Sequence, residues 1–424
     1  MFVARQPILD QALAVYGYEL LYRSGGENAY TGSPDGTSAS LQVLNNCFFA
    51  VDIREIVGGR LAFVNFTRDL LLRQAAEVVS PRSMVVEVLE DVRVDAEVLA
   101  ACRRLHDQGY LLAADDICRA DQNEELLDLV DFIKVDFRAA SEAEQERIIG
   151  KYGRRKTGVL AEKLETRAEF ERARQLGYAY FQGYFFARPV VLKGKEIPGF
   201  KLNYLRILAE IHRPEIEFRQ LEQLIRQEVS VAYKLLRYAN SALFAQRSTI
   251  ESIRRALVIL GEAEIRKWVS IILLMHLAVD KPNVLVMHSL IRAAFCESLA
   301  QLAAMGGRKS ELFLMGMFSL LDAMIDRPLR EALRDIHLSP DVRETLLDER
   351  ASTGSISAIY GLAKAYECGD WARVMENARR LRLEYEEIRG AYLTAVSWCD
   401  QVFGTCFPPS GSGSPENAAQ PQRR

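Results

Sequence analysis

Between residues 60 and 190 the chain alternates two patterns. Short apolar runs rich in β-branched and aromatic residues, "RLAFVNFT", "SMVVEVLED", "YLLAADDI", "DFIKVDF", "TGVLAEKLE" and "YAYFQGYFF", are separated by charge-rich segments. In "DAEVLAACRRLHDQ" and "RAEFERARQLG" the apolar residues fall at helical spacing, with a glycine near the stop. Strand–helix units repeating every 20 to 30 residues or so predict a parallel sheet with helical crossovers. So many in succession suit a closed barrel or a doubly wound sheet.

The polar residues decide between these. Asn65, Glu87, Asp115 with Asp116, Lys134, Glu162 and Gln182 each lie at or near the C-terminal end of a different apolar run. In a (β/α)₈ barrel those ends converge on one rim, where active sites are built. A doubly wound sheet builds its site at one crevice and has no need of a polar residue on every strand. The expectation is therefore an α/β barrel over residues 1–190. "VVLKGKEIPGFK" then breaks the alternation and reads as a linker over 191–203. From 204 to 407 the apolar stripes are helical, as in "QLEQLIRQEVSVAYKLLRYANSALF" and "SIRRALVILGEAEIRKWVSIILLMHLAV". The last segment, 408–424, is rich in Pro, Gly, Ser and polar residues and is expected to be disordered.

Composition narrows the function classes. Net charge is −3, so nothing draws the whole chain toward nucleic acid or anionic lipid, and DNA is disfavoured as a partner. "YGRRK" at Tyr152 reads as a solvated helix end. The seven cysteines are scattered without a C-x-x-C pair, against a zinc ribbon or a disulfide framework and in keeping with a cytoplasmic protein. The N-terminus lacks signal-peptide form. The longest apolar run, "WVSIILLMHLAV", falls well short of the roughly 20 residues a span requires, so direct membrane insertion is not expected.

Carboxylates and an amide oxygen are hard ligands suited to Mg²⁺ or Mn²⁺. Glu19, Asn65, Glu87, Asp115, Asp116 and Glu162 would supply oxygens enough for two ions. A pair of ions about 3.5–4 Å apart can activate water and stabilise a leaving oxygen in phosphodiester hydrolysis. Lys134 would offset the acidity and orient water, and Gln182 could fix a water or ligand by hydrogen bonding. Against this stands the plainer reading that each acid caps the helix after its strand.

The same residues resemble a known family. "YGYELLYR" resembles the signature of EAL domains, the cyclic-di-GMP phosphodiesterases, with Leu20 in place of the middle Ala, and "FVNFT", "VVEVLED", "AADDI", "FIKVDF", "LAEKLET" and "FQGYFFARP" follow in order. The start "VARQPILD…VYGYELLYR" is closer to the YuxH-like group, which joins an EAL domain to a C-terminal HDOD domain. The resemblance implies a TIM-like (β/α)₈ barrel followed by an all-helical HDOD domain. By position it implies metal ligands Glu19, Asn65, Glu87, Asp115 and Asp116, a general base Glu162 and a catalytic Lys134. It also implies substrate contacts from Arg23 and Gln182, and supporting acids Glu90 and Glu165.

Two departures stand out. Leu20 adds bulk beside a ligand. After the Asp pair, members read like D-D-F-G-T-G-Y-S-S, whereas this chain reads "DDICRADQNEE", without glycine and with several acids between Ile117 and Glu125. In the helical half "SVAYKLLRYANSALF" and "IRRALVILGEAEIRKWV" resemble the HDOD core. HDOD domains are similar to HD phosphohydrolases without their metal residues. Where an HD enzyme reads G-L-L-H-D this chain has "GMFSL", so Ser319 and Leu320 take the ligand places and no hydrolase activity is expected there. His212, His276, His288 and His337 are isolated in the sequence, His276 reads as a core residue, and Asn240 and Ser241 read as helix-end stabilisers. The expected function is cyclic-di-GMP signalling: hydrolysis to linear pGpG with two Mg²⁺ or Mn²⁺ ions, and regulation or protein contact through the HDOD half, a second copy of the chain included. The alternative is a non-catalytic cyclic-di-GMP receptor or scaffold.

Overall fold

The computed structural model describes residues 2–23, 53–155, 157–189, 198–240, 250–348 and 354–406, without the side chains of residues 2, 22, 23, 55 and 404–406. The expected linker, apart from its last residues, and the expected tail lie outside these. Contacts divide the chain into two units. One holds 1–185 with 365–376 and 384–424; the other holds 186–364 with 377–383.

The first unit is a closed eight-stranded barrel: β1 (Phe2–Asp10), β2 (Val15–Arg23), β3 (Leu61–Phe66), β4 (Met84–Val88), β5 (Leu111–Ile117), β6 (Phe132–Asp136), β7 (Gly158–Leu164) and β8 (Tyr180–Gly183). Seven strands are parallel in sequence order, but β1 runs antiparallel to both β2 and β8. The reason is local. Asp10 and Val15 are joined by a turn too short for a crossover, and Asp10 Oδ1 pins it by accepting from the Ala12 and Ala14 amides at 2.8 and 2.9 Å.

Side chains alternate in and out along each strand. The barrel floor is apolar: Ile8, Phe63, Val85, Ala113, Phe132 and Leu160 form one cluster, with Tyr16, Leu61, Leu111 and Tyr180 packed against it. Gly158 makes room for this plug, since a Cβ there would lie 2.6 Å from the Tyr180 ring. Two residues further along each strand, the inward positions turn polar.

The end of the chain belongs to the barrel unit. From the helix Ser355–Cys368, Tyr366 accepts from the Val3 amide through its hydroxyl at 3.3 Å and donates to the Val3 carbonyl at 3.0 Å. From the last helix, Tyr385–Cys406, Asp400 pairs with buried Arg5 at 3.0 Å. The helical half therefore does not run unbroken from 204 to 407, because these tyrosine and aspartate contacts close the outer face of β1. The expected linker also ends early, as Pro198 opens a helix over Gly199–Ile211.

The second unit is all-helical among its described residues. Its longest helix, Ile253–Leu277, carries the apolar run and is interrupted at Gly261, whose φ of 72° and ψ of 166° are not helical. No described helix is long and apolar enough to cross a membrane.

Candidate functional site

The inward polar layer holds Glu19, Asn65, Glu87, Asp115, Lys134, Glu162 and Gln182 on seven successive strands. Lys134 is its centre. The ammonium, wholly buried, lies 3.2 Å from Glu19, 2.8 Å from Glu87, 2.9 Å from Asp115 and 2.9 Å from Glu162. Gln182 donates to Glu19 at 2.7 Å and Asn65 donates to it at 3.3 Å. These acids are not helix caps: Asp95, Ser141 and Thr166 hold the ends of the helices after β4, β6 and β7.

Asp116 arrives by a different route. Strand alternation would turn it away from Asp115, but its backbone is left-handed (φ 48°) where the register of β5 with β6 skips. The result places oxygens of Asp115, Asp116 and Glu162 all within 4.8 Å of one another, a grouping able to hold a cation. The register of β7 with β8 skips in the same way at Lys163 (φ 58°), whose ammonium lies 2.7 Å from Asp116 and 2.7 Å from Asp136.

Four carboxylates around one ammonium leave a surplus of negative charge in a buried site, which is costly to maintain. Burial drives the Glu87 carboxyl well above the usual range, and Glu19 and Asp115 add to it despite Lys134. Burial, with Asp115 and Glu19, pushes Glu162 up to about 8. At Glu19 burial is outweighed by Lys134 and by the bonds from Gln182 and Asn65, and its carboxyl stays below the usual value. Lys134 is held well above the ordinary lysine value, because its four acids overcome the effect of burial. Glu87 Oε2, Glu162 Oε2 and Gln182 Oε1 are buried without hydrogen-bond partners. Hard carboxylate oxygens facing inward, some of them without hydrogen-bond partners, are a donor set suited to a hard divalent cation, so the residues fit such an ion.

The remaining predicted residues lie elsewhere. Glu90 is exposed beyond β4; burial of its carboxyl and the charges of Asp116 and Asp115 raise its pKa. Glu165 pairs with Arg138. The Arg23 side chain is outside the described residues. Leu20 shares none of the space of Glu19: the alternation of β2 puts it on the opposite face, opposite Arg5 in register and 5% exposed. The acids of the loop after β5 stay outside the cage. Asp121 binds Arg119 at 3.1 Å and Glu124 binds Lys151 at 2.7 Å. Sequence reasoning missed Gln6, which accepts from Gln182 at 3.2 Å and faces Glu19 in register. Its signal was the period-2 pattern of "ARQPIL", visible only once β1 is known to run antiparallel. Lys163 was missed because alternation sends it outward.

In the helical unit Ser319 donates to the Gly316 carbonyl at 2.6 Å and accepts from buried Arg292 at 2.7 Å, and Leu320 is buried. His212 meets Ser270 at 2.9 Å. His276 is half-buried rather than in the core, 3.0 Å from Ser230 and stacked on Tyr204. Asn240 ties its helix end to Ile250 through bonds of 2.7 and 2.9 Å; Ser241 lies outside the described residues. Among the described residues the grouping in the barrel is the one set of three or more His, Cys, Asp or Glu placed to share a cation.

Comparison with known families matches the EAL domain over residues 38–189 and the HDOD domain over 197–325. The chain is 32% identical over 410 residues to the uncharacterized protein YuxH of Bacillus subtilis, covering 95% of this chain and 98% of that one. It is 31% identical over 406 residues to the cyclic di-GMP phosphodiesterase CdgJ of Vibrio cholerae, covering 95% and 93%. Among solved structures, Klebsiella pneumoniae BlrP1 in its calcium and cyclic-di-GMP complex aligns with a TM-score of 0.38 at 23% identity, over 44% of this chain and 55% of that one.

Proposed function

Since this chain belongs to the EAL–HDOD family that includes YuxH and CdgJ, we propose that its barrel is a metal-dependent phosphodiesterase that opens cyclic-di-GMP to linear pGpG. The observation that carries the reading is the cage itself: Glu19, Glu87, Asp115 and Glu162 all bonded to Lys134, with buried carboxylate oxygens left over.

Glu19, Asn65, Glu87, Asp115 and Asp116 would hold two Mg²⁺ or Mn²⁺ ions. Such ions, when bound, acidify water and neutralise charge on phosphate oxygens. The chain's own residues do the rest. Glu162, with a pKa raised to about 8 in the ion-free barrel, is placed to take a proton from water. Lys134, always cationic here, holds the carboxylates in one geometry and offsets negative charge as it develops at phosphorus. Gln182, fixed by Gln6 and Glu19, orients its free amide oxygen into the layer. The aromatic and aliphatic floor closes the far end of the barrel to solvent. The helical unit, with Ser319 and Leu320 at the ligand places, serves as a regulatory or protein-contact module.

A second reading, a cyclic-di-GMP receptor without turnover, is favoured by one observation: the loop after β5 is tied into local bonds, with the Ala120 amide donating to Glu144 at 2.9 Å. The test is hydrolysis of cyclic-di-GMP by the purified chain with Mg²⁺ or Mn²⁺, beside Asp115→Asn and Glu162→Gln, with calorimetric binding in Ca²⁺. Turnover lost in both variants supports the enzyme. Binding without turnover supports the receptor, and neither one refutes both.

A further inference from the structure

The two lysines of the cage divide its acids between them. Lys134, buried, contacts Glu19, Glu87, Asp115 and Glu162. Lys163 takes the remaining carboxylate, Asp116, together with Asp136 just outside. The two differ in freedom. The Lys163 side chain is 50% exposed, against 1% for Lys134. A lysine stem has four rotatable bonds, so an exposed one can swing into water at little cost. Its backbone is also committed to this place: φ of 58° is uncommon for a residue with a long side chain, and it is what aims the ammonium back across the rim at Asp116.

From this geometry we infer that Lys163 is a tethered cation standing in for the second metal ion, and that this ion binds at Asp116 by displacing it. The inference rests on the metal-site reading above. It makes the two ion positions unequal. The inner one is lined by acids that Lys134 never leaves, whereas the outer one must compete with a charge that travels with the chain. Lys163 is thus a positioning residue that sets the divalent-ion concentration at which the site fills, and it keeps Asp116 satisfied while the outer position holds no ion.

The test is Mn²⁺ titration of the full chain, reading free Mn²⁺ by its electron paramagnetic resonance, with no turnover involved. The parent should take up one ion tightly and a second weakly. Lys163→Met should tighten the second step about tenfold, or about 1.4 kcal/mol, and leave the first nearly unchanged. Lys163→Gly should do the same, because glycine is at ease at this φ and removes the same charge; agreement of the two rules out a misfolded variant. Lys163→Arg should keep the parent's weak second step. Lys151→Met, which removes a charge bonded to Glu124 instead, should leave both steps as in the parent. A second step unmoved or weakened in both Lys163→Met and Lys163→Gly overturns the inference, as does equal tightening in Lys151→Met. If no protein in the series takes up Mn²⁺, the metal cage itself fails and this inference with it.

Discussion

Replacing Glu162 by Gln is expected to stabilise the ion-free barrel, and to do so only above about pH 4.5, where the carboxyl of the parent's unfolded chain ionises. Four acid oxygens each lie within 3.2 Å of the Lys134 nitrogen, so no two of them are more than about 6 Å apart. At an effective dielectric of about 20, one ionised Glu162 gains about 6 kcal/mol from Lys134 and loses about 3 kcal/mol to each of its two charged neighbours, Asp115 and Glu19. These charge terms nearly cancel, which leaves the desolvation of the buried carboxylate as the unfavourable balance. A shift from 4.5 to about 8 corresponds to roughly 5 kcal/mol, most of it the cost of burial. Because the folded pKa is raised, the parent's stability is intact below pH 4.5 and declines as pH climbs toward 8. Glu162→Gln cannot ionise, so the two proteins should match near pH 4 and separate by about 3–5 kcal/mol above pH 8. The assay is urea unfolding in chelator, read by hydrogen exchange in peptides covering β6 and β7, repeated with Mn²⁺. With the ion present the parent's surplus charge is answered, and the gap should close or reverse. A gap independent of pH, or one untouched by Mn²⁺, would refute the reasoning.

Lys134→Met should have the opposite sign, leaving four buried acids without their cation and costing the ion-free barrel about 3–5 kcal/mol in the same unfolding assay. Gly183→Ala should cost at least about 3 kcal/mol and speed exchange in β7 and β8: φ there is 141° and a Cβ would sit 2.1 Å from the Leu164 carbonyl. Burial, with Arg266 and His337 nearby, lowers His212 to about 3. A depressed histidine adds stability above its unfolded pKa that is lost as pH falls. The helical unit should therefore weaken by about 2–3 kcal/mol between pH 6.5 and 4.5, and His212→Gln should flatten that slope in peptides covering Gly199–Ile211.

The barrel was legible because two periodicities coincide in this chain. Alternation within each strand sets the apolar floor one step below the polar layer, and the strand-to-strand repeat returns a polar residue to the same height. That reasoning located Asn65, Glu87, Asp115, Lys134, Glu162 and Gln182 together, and the resemblance of "YGYELLYR" to the EAL signature added Glu19. It could not locate Gln6 or Lys163, for separate reasons. Gln6 lies on a strand whose direction is set by a turn rather than by a crossover. Lys163 reaches the rim only because a left-handed residue breaks the alternation. The return of Tyr366 and Asp400 to β1 was hidden because a helix that docks on a barrel has the same apolar stripe as one that docks on other helices. In the helical half, the resemblance to HD enzymes drew attention to Ser319 and Leu320, while Arg292 behind Ser319 emerged only from the fold.

The bond between Arg5 and Asp400 also orders events in time. Among the described strands β1 is synthesised first, and it holds a buried guanidinium whose acid follows 395 residues later. At 5–20 residues per second, roughly 20–80 seconds separate the synthesis of the two. Throughout that interval the helical unit emerges as an insertion between the two parts of the barrel's own sequence, and the outer face of β1 waits uncovered. A nascent chain stalled before Tyr385 would thus carry its whole acidic cage on a barrel whose first strand still lacks the acid that answers Arg5.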